Sequence, residues 1–311
     1  MTAPATMPPP GALGTPRPTQ RQRAFADRAA RTVRGRKIAN GVMLAILSLL
    51  ALAATLPLLV ILAHLVRMGI GSLSVDFFTQ MPKPVGETGG GLANGIVGTV
   101  ILVAIGSSVG LPLGIGAGLY CAEHKKSALA NVVRFLSDVL NGMPSIVMGI
   151  FAWEVLVRPV HHFSALAGGV ALGAMMIPMV ARTTEEMVLT VPNSLREAAL
   201  ALGYARWRTS LTIVLRTAGA GIVTGALVSI ARIAGETAPL LFSAFGNQYW
   251  STSLRQPISA LPLQIYNYAI SPYDEWHRLA WAGALVLIAL VLTISILARF
   301  ATRGNVSSGG D

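Results

Sequence analysis

Twenty-seven residues in a row, Asn40 to Val66, include no Asp, Glu, Lys or Arg. A helix climbs about 1.5 Å per residue and the hydrocarbon core of a bilayer is about 30 Å thick, so this run can cross a membrane. It is too long and unbroken for a signal-peptide core and reads as a retained membrane helix. Five comparable runs follow, at about 92–121, 130–158, 165–190, 210–242 and 279–302. Charged residues make up 12% of the 311, against roughly 25% in an ordinary soluble domain. The expectation is an all-α, polytopic membrane protein with six transmembrane helices.

Net charge is +11, and its placement sets the topology. Six spans put both ends of the chain on one side. Seventeen of the 24 Lys and Arg gather on that side: in the tail, in the 122–134 and 192–216 regions and at the C-terminus. Five lie in the opposite loops (Arg67, Lys83, Arg158, Arg255, Arg278). By the positive-inside rule both termini are cytoplasmic. The expected layout is a disordered basic tail over 1–37, a first transmembrane helix over 38–67 and an extracytoplasmic loop over 68–91. A five-helix core follows over 92–302, with a cytoplasmic helix at 192–208 and an outward loop at 243–278. A cytoplasmic tail, 303–311, ends the chain. Positions 21–37 have the composition of a basic helix lying on the inner leaflet, so the tail's charge points to membrane lipid and not to nucleic acid.

Several chemistries are excluded. The single cysteine, Cys121, rules out an intrachain disulfide and a cysteine-built metal site. His64, His124, His161, His162 and His277 show no helical ligand spacing, so no metal is expected. The Ser and His residues form no recognisable triad, and no G-x-x-x-x-G-K-[ST] phosphate loop is present. No catalytic residue and no cofactor are assigned, and the chain is not expected to be an enzyme.

The spans are unusual inside. The second is crowded with glycine (Gly95, Gly98, Gly106, Gly110, Gly114, Gly116, Gly118), which suits close helix approach. The third is interrupted at Asn141-Gly142-Met143-Pro144, with Arg134 and Asp138 spaced as an i,i+4 pair before the break. Pro178 and Pro239 mark the fourth and fifth. Broken helices are tolerated where neighbours or a cavity satisfy the freed backbone groups, which favours a transporter over a passive anchor.

Arg182 and Arg232 fall inside predicted spans, where each charge costs about 2.5–3.5 kcal/mol on insertion scales. Arg232 has Glu236 at i+4, and Arg182 has Glu186 at i+4 with Glu185 within the same turn. Two readings follow: helices that neutralise their own charges, or a hydrated path whose arginines await an anion. Guanidinium is planar and permanently charged, and matches two oxygens of an oxyanion at once. Carboxylates beside it keep attraction moderate, so that a bound anion can leave.

Between the fourth and fifth spans lies "VPNSLREAALALGYARWR", 191–208. Pro192 ends the preceding helix, Ser194 and Glu197 have capping-box spacing, and Leu195, Ala198, Ala199 and Leu202 share one face. Gly203 stands where a C-terminal glycine cap belongs. So short an amphipathic helix needs a surface to lie on, either the protein's own or a partner's.

The segment "EAALALGYARWRTSLTIVLR" resembles the EAA signature of permease subunits in binding-protein-dependent ABC importers, with Glu197, Ala198, Ala199, Gly203, Ile213 and Leu215 matching. Arg216 replaces the family's proline. The stretches "GGLANGIVGTVILV", "LPLGIGAGLYCAEH", "MPSIVMGIFAW", "IPMVARTTEEMVLTVPNSLREAALALG", "GIVTGALVSIARIAGETAPLLF" and "ALPLQIYNYA" are similar, in order, to the PstA-type permeases of phosphate importers. The similarity runs from about residue 88 to the C-terminus. It implies a type I (MetI-like) permease core in a bacterial cell membrane. Glu197, Ala198, Ala199 and Gly203 become part of a coupling helix seated on an ATPase. Arg232, Glu236 and Arg182 become the phosphate path. The implied partners are a second, PstC-like permease, a PstB-like ATPase dimer and a PstS-like phosphate-binding protein. Three other readings stay open: the permease of a sulfate or molybdate importer, a stand-alone channel or carrier, and a signalling or scaffold subunit. The aromatic residues of the 243–278 loop suit either the binding protein or an interfacial belt.

Overall fold

The computed structural model describes residues 20–303 apart from Thr88, with side chains over 36–296 and at 300. The first nineteen residues of the expected tail, and the last eight of the chain, lie outside the described residues. Helix α1 spans Gln20–Ile70 and α2 Val75–Thr79. Then come α3 (Ala93–Glu123), α4 (Ala128–Gly142) and α5 (Ser145–Ala152), the last running into a π-helical turn, Trp153–Val157. α6 covers Ala165–Leu189, α7 Asn193–Ala201 and α8 Arg206–Thr209. A second π-helical turn, Ser210–Val214, leads to α9 (Leu215–Thr217) and α10 (Gly219–Ala234). α11 (Ala238–Ser243), α12 (Leu261–Ala269) and α13 (Asp274–Arg303) complete the series. Among the described residues there is no strand.

The chain separates into two compact units, 1–63 and 64–311. In the first, α1 begins at Gln20 and not near residue 38 as expected. The Ala- and Arg-rich stretch before the apolar run contains good helix formers and no proline, so the helix propagates through it despite Gly35. From Ile38 to Val60 the apolar side chains are exposed on all sides, as a lipid-facing helix requires.

The second unit is built on α3 and α6, which run parallel and touch along a line of glycines. An added Cβ at Gly106 would meet Gly169, Leu172 and Gly173; at Gly110, Met176; at Gly114, Val180; at Gly118, Ala181 and Thr184. The glycine-rich pattern of the second run is therefore a packing surface, where close backbone approach replaces side-chain interdigitation. Leu102, Leu172, Met176 and Val180 are almost fully buried in the main core with Ile233, Leu240 and Leu263.

Two of the expected crossings are bent pairs of helices. α4 and the α5 segment meet at 109° across Met143-Pro144, the interruption visible in the sequence. Because α3 and α6 are parallel neighbours, this pair has to carry the chain back between them. The 206–217 segment meets α10 at 72°, and the chain breaks again at Gly235–Thr237 before α11. Four helices are long and apolar enough to cross a membrane singly, and six spans result if each bent pair is one crossing. The 243–278 region is more than an outward loop. α12 folds inward, burying Leu261, Leu263 and Gln264, and the Gln264 amide donates to Asn94 Oδ1 at 2.9 Å.

Candidate functional site

α3 covers one side of α6 and α10 packs antiparallel on another, with Gly221 against Met187 and Gly225 against Thr183. Arg182, Glu186 and Leu189 lie on the side that neither covers, and all three are exposed. Arg182 Nε donates to Glu186 Oε1 at 3.0 Å, the i,i+4 partner expected. From α10, Arg232 Nη1 reaches Met179 Sδ at 4.0 Å, one turn of α6 from Arg182. The two guanidinium groups thus stand on neighbouring helices bordering the same open flank of α6. Arg232 Nε lies 3.7 Å from Glu236 Oε1, although α10 ends at Ala234 and Glu236 sits beyond it. Arg232 is half exposed and Glu236 only 18%, so the carboxylate forms the inner wall of the pair.

Glu185 does not join this group. It is turned towards α4, buried, and accepts from Arg134 Nε at 2.7 Å, although at i+3 it stands beside Arg182 and lines one small pocket with it. The expected Arg134–Asp138 pair is therefore replaced by a link from α4 to α6. A second long-range pair joins Arg196 on α7 to Glu123, the last residue of α3. Sequence reasoning missed both because i,i+4 spacing finds only partners on one helix.

α7 differs in detail from the expected helix. Ser194 lies within the first turn and makes no capping bond; the helix starts directly after Pro192, whose φ of −57° suits a helix start and takes the cap position two residues earlier. The other end matches expectation. Gly203 has φ +85°, its N–H donates to Leu200 O at 3.0 Å, and Tyr204 N–H donates to Ala199 O at 3.1 Å. That is the paired pattern of a glycine-terminated helix. Of the expected apolar face only Ala199 is buried, whereas Leu195, Ala198 and Leu202 are exposed, Leu202 by 79%. Trp207 on α8 is 69% exposed beside them. None of the described residues covers this side. Where Arg216 replaces the family proline, the chain runs through the π-helical turn into α9 without a stop and bends at Ala218.

Gly106-Ser107-Ser108-Val109-Gly110 has the G-x-S-x-G spacing of a nucleophile elbow, yet it lies in the middle of α3. Ser108 Oγ donates to Ile105 O at 2.7 Å and the glycines serve the α6 contact. The strained strand-to-helix turn that such a nucleophile needs is absent there.

Residues 110–305 match the family model described as binding-protein-dependent transport system inner membrane component. The chain belongs to this family. Among its relatives, the phosphate transport system permease protein PstA of Yersinia pestis is 50% identical over 240 residues, 77% of this chain and 81% of that protein. The PstA protein of Haemophilus influenzae is 44% identical over 265 residues, 85% of this chain and 94% of its own length. A solved structure of the MetNI methionine ABC transporter in an inward-facing conformation has the same fold (TM-score 0.59, 20% identity), covering 68% of this chain and 95% of that one. The bent α4–α5 and α8–α10 segments thus belong to a fold that this transport family shares.

Proposed function

We propose that this protein is the transmembrane permease subunit of an ATP-driven phosphate importer. It forms half of the translocation path and works by alternating access. The observation that carries the reading is half-identity with a phosphate permease over four-fifths of that permease's length. The arginine geometry supports it: Arg182 and Arg232 border one open flank, each with a carboxylate that holds it when no anion is present. Phosphate would displace water between the two guanidinium groups, and Glu236 would keep the attraction weak enough for release.

The uncovered face of α7 and α8 fits a cytoplasmic ATPase dimer of the PstB type, with Glu197, Ala198, Ala199 and Gly203 in the coupling helix. A PstC-type permease would close the other half of the path, and a PstS-type binding protein would deliver phosphate from outside. Both termini would be cytoplasmic, as the distribution of Lys and Arg indicates.

Phosphate uptake by the assembled importer tests this reading. Arg182→Ala and Arg232→Ala, verified as inserted and assembled, should each lower uptake by about tenfold or more, the loss of a charge-assisted contact worth about 1.5–3 kcal/mol. Parental uptake from both variants would remove the arginines from the path. Sulfate or molybdate competing as well as phosphate would change the substrate, and uptake without an ATPase would favour a stand-alone carrier.

A further inference from the structure

The ion pairs of the described residues sort by what they join. Local pairs are mostly exposed: Arg158–Glu154, Arg278–Glu275 and Arg182–Glu186 keep about half or more of each side chain open, and in Arg232–Glu236 only the glutamate is sheltered. The two pairs that join different helices are sheltered, at 19% and 24% for Arg196–Glu123 and 22% and 9% for Arg134–Glu185. Both sheltered pairs grip the same place, the C-terminal ends of α3 and α6. Arg134 pairs with Glu185 of α6 and donates to Cys121 O of α3 at 2.7 Å. Arg196 pairs with Glu123 of α3 and donates to Val188 O of α6 at 3.2 Å.

Their carriers differ. Arg134 sits on α4, whereas Arg196 sits on α7, the helix whose apolar face is left uncovered. By its backbone α7 is tied to α6 through Thr190, Val191 and Pro192 and to α8 through residues 202–205, but not to α3. Arg196 adds a tie to α3. Since α3 and α6 are locked together along Gly106, Gly110, Gly114 and Gly118, a displacement of α7 gripped in this way moves both helices as one body. From Val188 to Arg182 is six residues, about 9 Å along α6.

We infer that Arg196 is a positioning residue that transmits movement of α7 to the α3–α6 pair, and so to the flank that carries Arg182 and Arg232. Without it α7 is held to the α3–α6 pair by the 190–192 backbone alone and swings about that hinge when its partner moves, so ATP hydrolysis proceeds with little rearrangement of the path. The inference rests on α7 being the coupling helix. A sheltered pair suits the task because it is less screened than a surface pair, and loss of one partner leaves the other charge uncompensated.

The test is the number of phosphates imported per ATP hydrolysed by the complete importer in proteoliposomes, with retention of the ATPase measured on each preparation. Arg196→Ala and Glu123→Ala should retain the ATPase and lower that ratio at least about fivefold, the lower end of ordinary coupling between sites. The exchange Glu123→Arg with Arg196→Glu should restore most of it. Arg278→Ala, which removes an exposed pair, should leave the ratio unchanged. Arg196→Gln and Glu123→Gln carry the same test if the alanine variants do not assemble. A purely structural role would reduce the amount of complex, and transport and hydrolysis would fall together. An unchanged ratio in an assembled variant, or an exchange that restores nothing, would overturn the inference. Failure of the parental chain to retain an ATPase would instead overturn the coupling-helix reading beneath it.

Discussion

Gly116 and Gly118 stand two residues apart on α3 and should respond oppositely to substitution. A Cβ at Gly118 would sit 2.4 Å from Ala181 O, a backbone atom that cannot rotate away, whereas nothing lies within 4 Å of Gly116. Gly118→Ala should therefore force α3 and α6 apart at a cost of about 1–3 kcal/mol, the usual range for overpacking. Gly116→Ala should be neutral or gain up to about 1 kcal/mol from helix propensity. Thermal unfolding of the two detergent-solubilised variants checks the contrast; equal midpoints would deny the close α3–α6 contact. The sequence showed a glycine-rich helix but not which glycines matter. Contact is decided by the partner's register, and the partner begins more than forty residues later in the chain. The same limit hid Arg134–Glu185 and Arg196–Glu123 while leaving Arg182–Glu186 and Arg232–Glu236 legible, since only the latter are set by helical spacing.

α7 illustrates what a single element discloses. Its amphipathic repeat and its glycine stop were legible because both are local. The capping box was not formed, since Pro192 starts the helix earlier and leaves Ser194 inside it. Whether the apolar face was buried at home or left for a partner required coordinates, which show Leu202 79% exposed. Leu202→Glu should accordingly leave folding intact, because the side chain touches little of its own protein. It should weaken retention of the ATPase by about tenfold or more, taking about 1.5–3 kcal/mol for a leucine buried at an interface. Co-purification with unfolding measured in parallel separates the two effects. Undiminished retention would move the docking surface elsewhere. Met143-Pro144 marked the bend in the third crossing and Pro239 the break after α10, whereas the 72° bend at Ala218 carried no local mark; how these pieces come together depends on neighbours, as where Gly149 of α5 packs against Ala238 and Pro239 of α11.

For the 64–311 unit as a whole, α6 acts as a ruler between two chemically different ends. At 25 residues it is about 37 Å long, more than the roughly 30 Å of a bilayer's hydrocarbon. At its start, Ala165 and Leu166 donate backbone hydrogen bonds to Gln256 O and Leu254 O, which fixes the aromatic 245–258 segment there. At its other end stand α7 and α8, and around them gather Lys125, Lys126, Arg196, Arg206 and Arg208. The proposed orientation, with α7 inward, rests on positive charge at one end and exposed Tyr249 and Trp250 at the other. The orientation is open to a labelling experiment, because the one native thiol, Cys121, is buried. A membrane-impermeant maleimide should label Tyr249→Cys in intact cells. It should reach Leu202→Cys only in inverted vesicles. Labelling of both from one side would mean that α6 does not cross the bilayer. The path that Arg182 and Arg232 are proposed to line would then have no second side to open towards.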